Sequence, residues 1–105
     1  MISIAMATYN GEKFIEEQLD SILAQTIKDF EIVICDDCSN DRTFFILEQY
    51  AKKYPLIKLH KNTKNLGFRE NFLQAINLCT GDFIALCDQD DIWNEKHLEI
   101  LLNNI

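Results

Sequence analysis

The chain has 105 residues, 48% of them apolar, and a formal net charge of −7, which together are typical of one soluble globular domain. The acidic charge argues against nucleic acid as a partner, because binding to a phosphate backbone requires a basic surface. No apolar run approaches the roughly 20 residues of a membrane-spanning helix, and no basic leader precedes the first apolar residues, so we expect a cytoplasmic protein without a transmembrane segment.

Strand-like and helix-like segments alternate along the sequence. In chain order, the pattern predicts a strand over Ile2–Ala7, a helix over Lys13–Gln25, a strand over Phe30–Cys35, a helix that ends before Pro55, a strand over Leu56–His60, a helix over Arg69–Cys79, a strand over Asp82–Cys87 and a final helix from about Leu98 to Ile105. Gly81 is placed to cap the third helix. Connections this short require parallel crossovers, so we expect one domain over residues 1–105 with an α/β fold, a parallel sheet between helices.

Polar residues follow three of the four predicted strands. Thr8 and Tyr9 follow the first strand, the pair Asp36 and Asp37 follows the second, and an acidic run follows the fourth. Ligands bind at the carboxyl ends of parallel strands, so we expect these clusters to meet at one edge of the sheet. Basic residues in and after the loop that follows the third strand would form a rim for an anionic ligand. These residues are Lys61, Lys64 and Arg69.

The acidic run "DQDD" suits a hard divalent cation. Mg²⁺ and Mn²⁺ prefer oxygen ligands and commonly take one or two carboxylates together with phosphate oxygens. Asp88 and Asp90 would point to the same side if the strand continued, and Asp91 could cap the next helix. Turn formation and helix capping are the alternative explanation for each acidic cluster, because Asp is common at both positions. Trp93, just after the run, is expected in the core rather than against a sugar.

Four cysteines leave redox and zinc alternatives to consider. Cys35 and Cys38 have C-x-x-C spacing, and with Cys79 and Cys87 they could in principle bind zinc. However, Cys35 and Cys87 each end an apolar strand, where a cysteine behaves as a small buried hydrophobe. The two aspartates between Cys35 and Cys38 would also raise the thiol pKa. We therefore favour reduced, structural thiols.

Four linked motifs resemble those of a known family: T-Y-N-G after the first strand, S-I-L-x-Q-T at the end of the first helix, D-D-x-S-x-D after the second strand and D-x-D-D-x-W after the fourth. The sequence from Ile2 to about His97 resembles the nucleotide-sugar-binding half of family 2 glycosyltransferases, which have the Rossmann-like GT-A fold. The resemblance implies sugar transfer from a UDP-, dTDP- or GDP-linked donor to a glycan or lipid-linked acceptor. Such enzymes make cell-surface polysaccharides, here at the inner face of the membrane.

The resemblance also implies roles for individual residues. Tyr9 would lie against the base and Asp37 would bind the base edge, with Asp36 as its structural neighbour. Asp88 and Asp90 would meet the divalent metal and the donor ribose, and Asp91 would brace the site or contact the donor sugar. The implied substrate-binding residues are Ala7, Thr8, Tyr9, Asp36, Asp37, Lys64, Arg69, Asp88 and Asp91, and the implied ligands of Mg²⁺ or Mn²⁺ are Asp88 and Asp90.

The catalytic base is not recognisable in this sequence. Most family members invert the anomeric centre and need a general base for the acceptor hydroxyl, which the resemblance places well downstream of D-x-D. No residue here matches it, so we expect residues 1–105 to bind a donor with little or no turnover. The alternative is a non-catalytic nucleotide- or nucleotide-sugar-binding module. A metal-dependent phosphotransferase would need an Asp directly after the first strand, where Thr8, Tyr9 and Asn10 stand.

Overall fold

The computed structural model describes residues 1–88 and 90–104. Within these ranges, four strands and four helices alternate in the predicted order. The strands are β1 (Ile2–Thr8), β2 (Phe30–Asp36), β3 (Ile57–Lys61) and β4 (Phe83–Cys87), and the helices are α1 (Ile15–Leu23), α2 (Thr43–Lys53), α3 (Phe68–Asn77) and α4 (His97–Asn103). Most boundaries lie within one or two residues of the predicted ones, and the predicted α/β fold is confirmed. None of the helices in the described ranges has the length and apolar character to cross a membrane.

The sheet has the strand order β3-β2-β1-β4, and every neighbouring pair is parallel. Its register places Thr8 level with Asp36 and Met6 level with Cys87. The chain winds outward from β1 through β2 to β3, then crosses back to form β4 on the other side of β1. The direction of winding therefore reverses at β1. In parallel α/β sheets, this reversal opens the crevice in which ligands bind.

The two faces of the sheet are packed differently because successive residues of β1 point to opposite faces. Ile4 and Met6 belong to the larger buried core, to which α1, α2 and α4 contribute Leu19, Leu47 and Leu98. Ala5 and Ala7 belong to a smaller core, in which α3 packs Phe72 and Ala75 against the sheet. Small alanine side chains on this face allow α3 to approach β1 closely. Trp93 is buried in the larger core, as predicted.

Gly81 does not cap the third helix, and that prediction is wrong. α3 ends at Asn77 with Leu78 as its C-cap, before the chain reaches Gly81. A Cβ atom at Gly81 would lie 2.7 Å from the Met1 carbonyl oxygen and 2.8 Å from the Ser3 nitrogen. The Gly81 N–H also donates a hydrogen bond to Ser3 Oγ at 2.7 Å. Glycine is needed here because the backbone passes directly against β1.

All four cysteines are free thiols, in agreement with the prediction. Cys35 lies in the smaller core and Cys87 in the larger one, so the sheet separates them and they cannot share one zinc ion. Burial raises the pKa of the Cys35 thiol and raises that of Cys87 to about 12. Thiols with such pKa values stay protonated near neutral pH and are poor nucleophiles.

Candidate functional site

A cavity of about 360 Å³ opens at the carboxyl edge of the sheet, beside the end of β1. Its volume lies within the range of small-molecule sites, and it lies beside β1, the strand at which the winding direction reverses. The walls come from the end of β1, the residue after β2, and the loop and first turn that lead into α3. The lining residues are Ala7, Thr8, Tyr9, Asp37, Asn65, Gly67, Phe68 and Asn71. Four of them, Ala7, Thr8, Tyr9 and Asp37, are among the residues singled out from the sequence.

Asp36 is fully buried and does not line the cavity. Its carboxylate oxygen Oδ1 accepts hydrogen bonds from Thr8 Oγ1 at 2.8 Å and from Ser39 Oγ at 2.7 Å. Its other oxygen, Oδ2, accepts a bond from the Ser39 N–H at 3.1 Å. These bonds offset the cost of removing a carboxylate from water. Asp36 therefore ties the end of β1 to the loop that follows β2.

Asp37 organises the loop between β3 and α3. Its Oδ1 accepts hydrogen bonds from the Leu66 N–H at 2.7 Å and from Asn62 Nδ2 at 3.0 Å, and its Oδ2 accepts one from the Gly67 N–H at 2.9 Å. Gly67 has φ 89°, a left-handed conformation that glycine adopts without steric cost. Each carboxylate oxygen has two lone pairs, and Oδ2 has one donor among the described residues. Asp37 thus borders the cavity with room to accept a further hydrogen bond.

The sequence motifs do not indicate four of the lining residues, because in and just after the loop that follows β3 only the basic residues suggest ligand binding. Phe68 is 62% exposed at the cavity and meets Phe72 edge-to-face, with ring centroids 5.6 Å apart. Asn71 is 1% exposed, and its Nδ2 donates to the Cys35 carbonyl oxygen at 2.8 Å. Gly67 directly before a helix was the available signal, because glycine there marks a sharp turn. The missed residues are Asn65, Gly67, Phe68 and Asn71.

Lys64 and Arg69 lie next to the cavity in sequence but outside its lining. Both residues are exposed, and neither forms an ion pair within the described part of the chain. The structure therefore leaves their cationic groups in solvent on the side of the sheet from which α3 begins.

The acidic run lies at the same edge, because Cys87 is level with Met6 and Asp88 follows it. β4 ends at Cys87, and Asp90 has φ 76°. The strand therefore does not continue through Asp90, which was the condition for Asp88 and Asp90 to point to the same side. Asp91 does not cap the next helix, since α4 begins only at His97; its N–H donates to the Asp88 carbonyl oxygen at 3.1 Å. Gln89 lies outside the described residues.

The carboxylates of Asp88, Asp90 and Asp91 are exposed and accept no hydrogen bond within the described ranges. No group of three or more His, Cys, Asp or Glu side chains is suitably placed for a metal ion in that part of the chain. Two uncommitted carboxylates nevertheless fit Mg²⁺ or Mn²⁺, which often take one or two protein carboxylates and complete their shell with phosphate oxygens and water. The donor set is thus consistent with a cation that arrives with a phosphate ligand.

Left-handed backbone conformations also gather at this edge. In the described ranges, the non-glycine residues with positive φ are Asn10 at 50°, Cys38 at 61° and Asp90 at 76°, and they follow β1, β2 and β4 respectively. Each such conformation costs about 1–3 kcal/mol and persists only where surrounding contacts fix it. Asn10 is fixed from both sides, because its N–H donates to Ser39 Oγ and its Oδ1 accepts from the Asn40 N–H. Strain of this kind is common at functional sites.

The chain matches the family model "Glycosyl transferase family 2" over residues 3–105. It therefore belongs to glycosyltransferase family 2, and the family predicted from the four motifs is confirmed. The dTDP-rhamnosyl transferase RfbG of Shigella flexneri is 45% identical over 99 residues, which cover 90% of this chain and 34% of RfbG. The chain spans about a third or less of the length of the curated relatives it matches.

Solved structures show the same fold. S. aureus TarS 1-349 in complex with UDP-GlcNAc matches with a TM-score of 0.88 and 33% identity, over 97% of this chain and 30% of that one. The mannosyltransferase PcManGT from Pyrobaculum calidifontis, in complex with GDP-Man and Mn²⁺, matches with a TM-score of 0.84 and 27% identity, over 92% of this chain and 30% of that one. The sheet and its helices thus have the GT-A arrangement expected from the sequence.

Proposed function

We propose that residues 1–105 are the donor-binding part of a glycosyltransferase that moves a sugar from a nucleotide-diphosphate donor to an acceptor hydroxyl. The proposed reaction inverts the anomeric centre and uses a divalent metal. The main support is the cavity at the carboxyl edge of the sheet, which Tyr9 and Asp37 line and which opens at the edge where Asp88 and Asp90 emerge. Family membership and the ligands named for TarS and PcManGT support the same reading.

The nucleobase is proposed to bind against Tyr9 and Asp37. Tyr9 is 42% exposed at the cavity, so its ring offers a flat apolar surface to a base. Asp37 Oδ2 retains an acceptor site next to its bond from Gly67, and a base N–H suits that site. Phe68 adds a second exposed aromatic ring to the same cavity. Asp36 acts in this proposal as the buried support beneath Thr8.

The diphosphate is proposed to bind at the acidic side of the same edge. Asp88 and Asp90 would hold Mg²⁺ or Mn²⁺, and Asp91 would contact the donor or brace the turn. Such a metal, when bound, stabilises the negative charge that develops on a departing nucleoside diphosphate. Lys64 and Arg69 are exposed near the opposite wall and would supply positive charge to the base or diphosphate.

The acceptor is proposed to be a glycan or a lipid-linked saccharide, in polysaccharide synthesis in the cytoplasm at the inner face of the membrane. The rhamnosyl transfer named for RfbG supports a saccharide product. The general base remains unassigned, because no carboxylate in residues 1–105 matches the family position. We therefore propose that these residues alone bind the donor and turn it over little or not at all.

Calorimetric titration tests the donor site. UDP, GDP and dTDP are each titrated into the chain with and without Mn²⁺, and then into Asp90→Ala. We expect at least one nucleotide to bind, more tightly with Mn²⁺, and we expect Asp90→Ala to remove most of the Mn²⁺-dependent gain. Asp29→Ala is the control, because Asp29 is also exposed but lies before β2, at the opposite edge of the sheet, where it pairs with the N-terminal amine of Met1.

The outcomes separate the parts of the proposal. Absence of binding by every nucleotide, in either metal condition, would overturn the donor site. Binding that is unchanged in Asp90→Ala would leave the donor site standing and overturn the metal role of the acidic run. An equal loss in Asp29→Ala would show that general charge, rather than position, controls the affinity.

A further inference from the structure

Helix α1 has a polar stripe on a face that is otherwise apolar. Gln18 and Ser21 are three residues apart in α1 and so lie on one side of the helix. Gln25 follows just after the helix ends, and its Nε2 donates to the Ser21 carbonyl oxygen at 3.1 Å. Gln18 is 1% exposed and Gln25 is 0% exposed. Burying a primary amide without hydrogen bonds costs about 1–3 kcal/mol by mutational measures. Their bonding partners therefore explain why these side chains are tolerated in the core.

Gln18 holds the first residue of the acidic run. Its Nε2 donates a hydrogen bond to the Asp88 carbonyl oxygen at 2.6 Å and a weaker one to Cys87 Sγ at 3.2 Å. The same Asp88 oxygen also accepts a hydrogen bond from the Asp91 N–H, which closes the turn formed by the acidic run. Gln18 thus fixes the carbonyl group on which the turn is built, from a helix 70 residues earlier in the chain.

Ser21 and Gln25 hold the backbone that follows. The Trp93 N–H donates to Ser21 Oγ at 3.0 Å. Gln25 binds at both ends of its amide: Nε2 donates to the Asn94 carbonyl oxygen at 2.7 Å, and Oε1 accepts from the Leu98 N–H at 3.0 Å. The stripe therefore contacts the backbone at four residues, Asp88, Trp93, Asn94 and Leu98. We call the described residues of this region, 88 and 90–98, the acidic segment.

The acidic segment needs such external support. Between the end of β4 and the start of α4 its described residues form neither strand nor helix, so few of its backbone groups find partners within the segment itself. Its exposed carboxylates repel one another, and Asp90 adopts a left-handed conformation that must be held by neighbouring contacts. The acidic side chains give no help, because they accept no hydrogen bonds in the described ranges.

We propose that Gln18, Ser21 and Gln25 are positioning residues for the donor site. They hold the backbone of the acidic segment so that the carboxylates of Asp88 and Asp90 stay free of internal bonds and fixed in place for a metal and a diphosphate. This inference rests on the proposed function. Ligands that are oriented by a rigid surrounding shell bind metals more tightly, and loss of such an outer contact commonly costs 10–100-fold in metal affinity.

The test uses Gln18→Met, Ser21→Ala and a control, Gln49→Met. Methionine keeps the length of Gln18 and removes the Nε2 donor, together with Oε1, a buried acceptor that has no partner among the described residues. The variant is therefore expected to fold. Gln49 is exposed on α2, away from the acidic segment. Two measurements are made on each protein: amide hydrogen exchange, and titration of UDP, GDP and dTDP with and without Mn²⁺.

We expect Gln18→Met to weaken Mn²⁺-dependent nucleotide binding by about tenfold and to leave metal-free binding within about twofold. Ser21→Ala should speed exchange of the Trp93 amide and weaken the same Mn²⁺-dependent binding by a smaller factor, while Gln49→Met changes neither.

A general structural defect would instead weaken metal-free and metal-dependent binding together. If the wild-type chain binds nucleotide and Gln18→Met binds it equally well with Mn²⁺, the inference is overturned and the proposed function stands. A wild-type chain that binds no nucleotide overturns the proposed function, and this inference with it.

Discussion

Two acidic pairs lie at the same edge of the sheet and have opposite surroundings. Asp36 and Asp37 are 0% and 3% exposed, and each carboxylate accepts three hydrogen bonds from the protein. Asp88 and Asp90 are exposed, and their carboxylates accept none within the described ranges. Asp36 is committed to the architecture, and Asp37 keeps one acceptor site at the cavity, whereas Asp88 and Asp90 are held through their backbone and keep their side chains available. Similar local sequences can thus have different roles. Substitutions in the first pair should lower the stability of the fold, whereas substitutions in the second pair should mainly lower ligand affinity.

Asp36→Ala should have the largest effect on stability. It leaves the Thr8 hydroxyl and two donors of Ser39 without their partner and creates a small void, so we expect the free energy of unfolding to fall by about 3 kcal/mol. Urea unfolding followed by circular dichroism measures the change. A loss below about 1 kcal/mol would contradict the role assigned to these bonds. Asp36→Asn, which keeps one acceptor oxygen, should lose less.

Asp37→Asn should affect stability and binding together. An amide group in place of one oxygen faces the N–H of Leu66 or Gly67, so at least one bond is lost and the loop before α3 loosens. We expect the free energy of unfolding to fall by about 2 kcal/mol and nucleotide affinity to fall as well. Denaturant unfolding and calorimetry on one preparation test both. Normal affinity in a destabilised variant would confine Asp37 to a structural role.

Glu31 is a buried carboxylate away from the site. It tests whether a buried, hydrogen-bonded carboxylate stabilises the fold without affecting binding, as proposed for Asp36. Burial by itself would raise the pKa of Glu31, but hydrogen bonds from Ser3 and Thr80 outweigh it and hold the pKa below its usual value of 4.5. Because the folded-state pKa is lowered, the carboxylate stabilises the fold above that value, and this stabilisation is lost as the pH falls through the folded-state pKa.

We therefore expect Glu31→Gln to cost about 1 kcal/mol at pH 7, with the difference from wild type shrinking below pH 4.5. Unfolding titrations across this pH range measure it. Nucleotide affinity at pH 7 should be unchanged, because Glu31 lies near the amino ends of the strands. A difference that grows as the pH falls would contradict the sign of the argument.

Replacing both Asp88 and Asp90 by Asn should have the smallest effect on stability. No described hydrogen bond is lost from either side chain and like-charge repulsion decreases, so we expect a change within about 0.5 kcal/mol. The effect on binding should be large instead, because the gain in nucleotide affinity on adding Mn²⁺ should disappear. Thermal unfolding and calorimetry on the double variant test the pair of expectations. A large stability loss would place these residues with Asp36 and Asp37.

The sequence predicts the parts of the fold that depend on local pattern. The continuous apolar runs around Ile4 and Ile34 predict buried strands, and both are buried on each face. The meeting of Thr8, Asp36 and Asp88 at one edge also follows from parallel strands, without knowledge of their order.

Contacts between distant parts of the chain are not predictable in this way. The bonds from Leu66 and Gly67 to Asp37 join residues about 30 positions apart, and nothing local to Asp37 specifies them. Gln18 interrupts an apolar face, but its partner lies 70 residues later. Gly81 had a plausible local role as a helix cap, and only the three-dimensional structure shows its contact with Ser3.

The central place of β1 has a consequence for folding. Of the four described strands, β1 is synthesised first and its neighbour β4 is synthesised last, with Ile2 level with Phe83. At 5–20 residues per second, synthesis of the roughly 80 residues between them takes on the order of 4–16 s, during which one edge of an apolar strand stays unpaired. Long-range pairing of this kind also slows folding itself, because the loop must close before the contact stabilises it. The strand that forms one wall of the cavity therefore keeps an unpaired apolar edge, which favours aggregation, until β4 has been synthesised.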